Sequence, residues 1–522
     1  PPYKIKQPAL TIASAKPNYV QMPHTRMPNL PPPYPKTAPL KVWLVSAVLT
    51  CAIVGGIGSI IFRLIDKGDP TAVSIDFRQS LQEQTAVIAN ESTWLSEAAC
   101  PEKDRGSFEA LKAEGMDARA SQNYSRAQTK FETALASCAA PEVLIDLNNA
   151  RIGAADSHVL VVSVPFSGSN PNNAVEMLRG FAQAQFEVNQ AGGINGVPLK
   201  LLIVDDGDSK EIAREIAIAL TEDPTYANVL GIVGHWTSDV SLQVAPIYGS
   251  RAALTFITPI STTNELTGYS PWVFRATLNN RSGARALARY MLDAWGEEKA
   301  AIFYVGGVTY SEEIRSEFSQ VVDPIQGGQI VAQFDMGARD FNANRAVQAA
   351  IEAGAEVILL ATDNDSLDQA ISVIEANNKQ LKVLGDLANL YTTTVLSEAS
   401  ESAVGMVMAT PWDIDGNANK TFVQTSKALW KGPVNYVTAM SYNAVRAMIV
   451  AMESQPTRLG INRALNDPNF SVIGNAASIP LKFRNGDRQA PVQLIEVIER
   501  PGESGNPAKL DFFPILSVPG DL

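Results

Sequence analysis

Three hydroxyl side chains, Ser238, Ser261 and Thr262, fall just beyond short apolar, β-branched runs, residues 229–233 for the first and 253–257 for the other two. The stretch after each run has helical character. A hydroxyl at a strand-to-helix turn sits beside backbone N–H groups that lack intrahelical partners and beside the partial positive charge of the helix start, so it can help hold an anion such as a carboxylate. Ser and Thr also favour helix N-caps where no ligand binds. Either turn alone reads as an ordinary cap, and two on neighbouring strand ends leave both readings open. Other chemistries lack their residues. The three His (His24, His158, His235) and three Cys (Cys51, Cys100, Cys138) show no metal-ligand spacing. Asp205-Asp206-Gly207-Asp208 lacks the later carboxylate of a calcium loop. Neither a phosphate-cradling Gly-Lys-Ser/Thr nor a Gly-x-Ser-x-Gly elbow occurs. No metal, cofactor or enzymatic reaction is expected.

The elements that carry these turns form a long alternation. Apolar runs at 159–164, 199–204, 229–233, 253–257, 300–304, 357–360 and 382–384 are each followed by a helical stretch, the first from about 173 to 190. Unbroken β-branched runs between amphipathic helices predict an α/β fold with parallel sheets covered on both faces. About 360 residues of this pattern exceed one core, so two lobes are expected, with ligands bound off the C-terminal strand ends.

In this region the chain resembles the type I periplasmic binding proteins, in particular their leucine/isoleucine/valine-binding branch. The resemblance rests on Gly192-Gly193-Ile194-Asn195-Gly196 leading to LLIVDDGDS (201–209), IVGHWTSDVS (232–241) and FITPISTTNELT (256–267). VFRATLNN (273–280), YSEEIRSEF (310–318) and MSYNAVRAM (440–448) follow in the same order. It covers about 158–515 and implies a bilobed domain, lobe 1 at about 158–278 and 411–482 and lobe 2 at about 279–410 and 483–515. Chain crossings are expected near 277–281, near 408–412 and between 483 and 492. The resemblance implies that the Ser238 and Thr262 hydroxyls hold a ligand α-carboxylate and that the Ser261 carbonyl accepts from its ammonium. It also implies that Tyr310 closes over the ligand from lobe 2. The acidic partner of the ammonium is Asp386 or, in the preceding loop, Asp363. Trp236 and Trp412 are candidates for apolar or cation–π surface. Where relatives with apolar ligands often carry an aromatic-Gly pair, this chain has Asn173-Ala174, which predicts a more polar wall.

Upstream, residues 1–41 hold six basic residues, no Asp or Glu, and eleven of the 32 Pro, whereas the whole chain carries −12. That acidic total excludes a generally basic nucleic-acid binder. The tail reads as a disordered, partly polyproline-II tether, in which Pro31-Pro32-Pro33-Tyr34 could dock an aromatic groove. Residues 42–62 are 21 uncharged residues, enough at about 1.5 Å per residue to cross a hydrocarbon core of about 30 Å. A transmembrane helix at 42–65 is expected, retained as an anchor, with the basic tail cytoplasmic and the bulk in the periplasm or extracytoplasmic space. A cleaved signal peptide fits less well, given the long Pro-rich lead-in and the length of the apolar run. Thr50 before a mid-span Cys51 also fits a lipoprotein signal poorly.

Residues 66–157 form a small all-α module. Tyr124, Ala127, Phe131, Ala134, Leu135 and Pro141 follow the order of one tetratricopeptide-type helix pair; an ordinary helical hairpin is the alternative. Outside the cytoplasm a Cys100–Cys138 disulfide is permitted. The expectation is a membrane-anchored receptor that closes on an amino acid or similar small zwitterion and delivers it to an ABC permease. The alternatives are a ligand-free contact regulator of a cell-envelope enzyme, like the peptidoglycan synthase activators, or a sensory receptor.

Overall fold

The computed structural model describes residues 100–169, 171–250, 254–322, 327–363, 365–386, 390–501 and 509–516. The expected tail at 1–41, the expected span at 42–65 and the start of the helical module lie outside these residues. Among the described residues no helix is long and apolar enough to cross a membrane.

The described part of the module is three helices, α1 (Glu102–Ala120), α2 (Tyr124–Ser137) and α3 (Pro141–Ile152). Asn123 caps α2 by accepting from the Arg126 amide at 3.2 Å. Pro141 stands at the first position of α3, where its missing N–H costs nothing. Phe108, Ala127, Phe131 and Ala134 make the small core of α1 and α2, and a disulfide joins Cys100 to Cys138. The second apolar run of the expected repeat is α3, buried over nearly its whole length. Its Val143 and Leu147 face the α1–α2 core, and its Leu144 and Ile145 enter the core of lobe 1 with Leu160 and Phe181. This sandwiched helix follows the rule that a helix apolar all round is buried all round.

Lobe 1 is built on a seven-stranded sheet of order β11-β12-β5-β4-β3-β1-β2. Its strands are β1 (His158–Val164), β2 (Leu199–Asp205), β3 (Val229–Gly234), β4 (Thr255–Thr258), β5 (Val273–Arg275), β11 (Phe483–Arg484) and β12 (Asp487–Arg488). Strands β1 to β5 are parallel, and β11 and β12 form an antiparallel hairpin at the edge. Residues 483–488 therefore sit in the lobe 1 sheet, not in lobe 2, where the resemblance had put them. The opposite edge strand, β2, is covered by side-chain amides. Asn149 of α3 donates to the Leu201 carbonyl at 2.8 Å and accepts from the Leu201 amide at 3.3 Å. Asn189, near the end of α4 (Pro171–Gln190), does the same for Leu199 at 2.9 and 2.8 Å. The outward groups of Leu199 and Leu201 are thus paired, which shields this half of the edge.

Lobe 2 carries the second seven-stranded sheet, order β14-β13-β10-β9-β8-β6-β7. It comprises β6 (Lys299–Tyr304), β7 (Gln329–Asp335), β8 (Val357–Leu360), β9 (Lys382–Gly385), β10 (Val407–Thr410), β13 (Gln493–Arg500) and β14 (Lys509–Pro514). Here β6 to β10 are parallel while β13 and β14 pair antiparallel, so the sheets are parallel-rich and not wholly parallel. Helices α5 (Lys210–Glu222), α6 (Ser238–Ser250), α7 (Asn280–Arg289) and α8 (Thr309–Val322) follow β2, β3, β5 and β6. The helix Tyr436–Ser454 packs on α4 in lobe 1. It comes close because Gly180 has no side chain: a Cβ there would lie 2.3 Å from the Thr438 carbonyl.

The chain crosses between sheets after β5, after β10 and between β12 and β13. Polar contacts bind the three crossings together. Asp487 accepts from Arg275 Nε at 3.0 Å and Asn279 Nδ2 at 2.9 Å, and Arg488 donates to the Pro411 carbonyl at 3.0 Å.

Candidate functional site

Both sheets point their C-terminal strand ends at one cleft of about 290 Å³. Lobe 1 contributes Ser169 after β1, Asp208 after β2, residues 236–240 after β3 and residues 260–262 after β4; lobe 2 contributes residues 308–310 after β6 and Asp363 and Asp365 after β8.

The β3 turn begins with Gly234, where a Cβ would collide with the Ser163 carbonyl at 2.6 Å. His235 follows in the left-handed region, φ 55°, a conformation that needs support in a non-glycine residue. Support comes from Asp206, whose carboxylate meets His235 Nδ1 at 2.7 Å and accepts from the Ser163 hydroxyl at 2.7 Å, and from the Tyr248 hydroxyl at 3.4 Å from Nε2. Burial alone would raise the Asp206 carboxyl, but the His235 and Ser163 hydrogen bonds bring it below its ordinary value. The turn so fixed presents Trp236, Thr237 and Ser238, with Ser238 as the first residue of α6.

The β4 turn is held differently. The Thr258 hydroxyl accepts from the Ser261 amide at 3.0 Å, Asn280 donates its amide to the Thr262 carbonyl at 2.8 Å, and Arg275 Nη1 donates to the Thr263 carbonyl at 2.6 Å. This turn leads into a three-residue 3₁₀ segment, Asn264–Leu266, and not into the α-helix expected from the sequence. The Ser261 amide is already engaged, so the turn offers hydroxyls more than helix-end amides. The Ser261 hydroxyl lies 3.5 Å from that of Ser238, to which it donates. Ser238, Ser261 and Thr262 are all more than nine-tenths buried.

From lobe 2, Tyr310 lies in the first turn of α8 and faces the same space, with Asp363 beyond it. The cleft thus brings together Ser238, Ser261, Thr262, Tyr310, Trp236 and Asp363. It does not gather the other candidates. Asp386 is buried behind the β8 end, where its carboxylate accepts from the Thr362 amide and from the Thr362 hydroxyl at 3.0 Å. Asn173 sits in the first turn of α4, away from the lining, and Ser169 stands in its place on that wall. Trp412 is wholly buried, its Nε1 donating to the Ala476 carbonyl at 2.8 Å.

Sequence reasoning passed over Asp208, Lys210 and Asp239. The Asp-Asp-Gly-Asp turn held the signal for the first, but the absence of a calcium pattern dismissed it. Asp208, in the left-handed region at φ 54°, accepts from the Thr237 hydroxyl at 2.6 Å. Burial, with the neighbouring Asp206 charge adding to it, pushes its carboxyl up to about 6. Asp239 is matched by Lys210 Nζ at 2.7 Å and accepts across the cleft from the Thr309 hydroxyl at 2.9 Å. Deeper in the lobe contact, Glu313 of α8 accepts from the Thr263 hydroxyl at 2.7 Å and the Asn264 amide at 2.9 Å.

A family model described as periplasmic binding protein matches residues 160–498. This chain belongs to the periplasmic binding protein family. Among curated members, the leucine-, isoleucine-, valine-, threonine- and alanine-binding protein of Pseudomonas aeruginosa is 25% identical over 309 residues, 58% of this chain and 79% of its own length. The Leu/Ile/Val-binding protein homolog 1 of Brucella abortus is 23% identical over 340 residues, 64% and 86% of the two chains. Among solved structures, a leucine-binding protein of Thermotoga maritima has a TM-score of 0.56 at 20% identity, covering 68% of this chain and 98% of its own. The closed conformation of a leucine-, isoleucine-, valine-, threonine- and alanine-binding protein of Brucella ovis has a TM-score of 0.59 at 17% identity, covering 69% and 95%. These likenesses are of fold. The periplasmic-binding-protein match begins after α3, so the helical module lies outside it.

Proposed function

We propose that this chain is an extracytoplasmic solute receptor that captures an amino acid or similar small zwitterion between its lobes and presents it to an ABC-transporter permease, anchored by the apolar segment at 42–62. In this reading Ser238 and Thr262 donate to the ligand carboxylate, the Ser261 carbonyl accepts from its ammonium and Tyr310 covers it from lobe 2, with Asp363 as the acidic partner. The observation that carries the reading is the convergence of three buried hydroxyls from two adjacent strand ends on a cleft walled by the second lobe. Family membership supports it, as do relatives whose names state amino-acid binding.

Closure then follows from differential contact: a ligand touching both lobes binds the closed form more tightly and shifts the equilibrium towards it. Calorimetry of the chain against the twenty amino acids is expected to show saturable binding of at least one. Ser238→Ala combined with Thr262→Ala is expected to weaken that binding at least a hundredfold, two hydrogen bonds to a charged group being worth about 1.5–3 kcal/mol each. Absence of any binding, with the double variant behaving like the parent, overturns the receptor reading and favours a contact regulator.

A further inference from the structure

We infer that the ligand of this cleft carries a second cationic group, at the far end from its carboxylate, so that the favoured ligands are basic amino acids and Asp208 is the residue that selects them. The inference rests on the reading of the cleft as an amino-acid site. The carboxylate end is marked by Thr262: its side chain is more than nine-tenths buried, it lines the cleft, and its hydroxyl has no hydrogen-bond partner among the described residues. A hydroxyl that opens only on the cleft has a donor free for a ligand oxygen.

The rest of the lining is too acidic for a ligand with only one positive charge. Among the described residues, four carboxylates, Asp208, Asp239, Asp363 and Asp365, border the cleft, against one cation, Lys210. Lys210 is engaged by Asp239. The ligand's α-ammonium answers the lobe 2 pair, Asp363 and Asp365. Asp208 remains, on the other lobe. Among the described residues it has no ion-pair partner; the Thr237 hydroxyl and amide are its neutral donors, and the nearby His235 is engaged by Asp206. A carboxylate held largely out of water without a cation is poorly satisfied.

The position of Asp208 also fits. In the lobe 1 sheet the order β4-β3-β1-β2 puts Ser261 and Thr262 at one side of the cleft, Ser238 next, then Ser169, and Asp208 last. A ligand whose carboxylate sits at the β3 and β4 ends therefore extends its side chain towards Asp208. Trp236 and Tyr436 border the path and offer aromatic faces to an aliphatic stem or a guanidinium.

The test is calorimetry of the full chain with L-arginine, L-lysine and L-leucine at pH 7.5, in parent and Asp208→Asn. Asn tolerates the left-handed backbone at this position and keeps an acceptor for Thr237. The better basic amino acid is expected to bind the parent at least tenfold more tightly than leucine, and Asp208→Asn is expected to cut that ratio about tenfold or more. Leucine binding as tightly as both basic amino acids overturns the inference while leaving the receptor reading in place. A ratio unchanged by Asp208→Asn removes Asp208 from the role. Binding of none of the amino acids in the full panel sinks both readings together.

Discussion

Asp208 combines a cost to the fold with a place in the cleft. Its carboxyl, raised to about 6 from an ordinary 3.8, binds its proton more tightly in the folded than in the unfolded chain. The folded state is therefore favoured by this group at low pH and loses that advantage as pH rises through about 6. Removing the charge removes the loss. Asp208→Asn is expected to melt higher than the parent above pH 6, with the gap closing between pH 6 and 4 and absent below 4; thermal scans at half-unit pH steps check this. Asp206, His235 and the hydroxyl and amide of Thr237 act on the group, and none of them is altered by the substitution. At this scale the sequence was legible where type and place coincided, as at Ser238 and Thr262, which stand directly after strands. It was illegible at Asp386. There a carboxylate in the right segment turns inward to Thr362, because an amide and a hydroxyl offered it better solvation than the cleft did.

At the scale of elements, the covering of β2 distinguishes this chain from a bare two-lobed domain. Asn149 gives and receives a hydrogen bond at Leu201 in the manner of a neighbouring strand, and Gln185 donates to the same Asn149 at 2.9 Å. Asn149→Ala is expected to lower unfolding free energy by about 1–3 kcal/mol, the cost of leaving buried strand groups unpaired. Asn149→Asp is expected to be at least as damaging, because a carboxylate cannot donate to the Leu201 carbonyl. Urea titrations of both variants check the pair, and a harmless Asn149→Asp would refute the donor role. The alternating strands were readable because β-branched runs such as 357–360 are buried on both faces. The hairpin β11–β12 was assigned to the wrong lobe because two-residue strands carry no periodicity, and their place is set by the remote pairing of Asp487 with Arg275. The docking of α3 was equally hidden. Its all-round burial erases the amphipathic stripe that marks a helix face, so only its partners reveal where it packs.

For the whole molecule, the proposed closure would act on the contacts that join the two lobes. Glu313 reaches from α8 to the Thr263 hydroxyl and the Asn264 amide, Thr309 reaches Asp239, and Tyr391 of lobe 2 stacks on Tyr436 of lobe 1 at 6.0 Å. Glu313→Ala is expected to favour the open form, raising the radius of gyration seen by solution scattering and weakening ligand binding about tenfold. An unchanged scattering profile with unchanged affinity would show that these bonds do not set the equilibrium. The two-lobe plan was foreseeable from chain length and alternation, whereas these polar contacts between lobes join residues 49 to 70 positions apart that no local pattern connects.

The knot of Arg275, Asn279 and Asp487, with Arg488 on Pro411, has its own result. Three separate passages of backbone share one connected, partly buried set of bonds, which ties them into a single axle. Such an axle permits twisting and bending of one half against the other but resists sliding, and a nick in any one passage would leave the two halves still pinned in register.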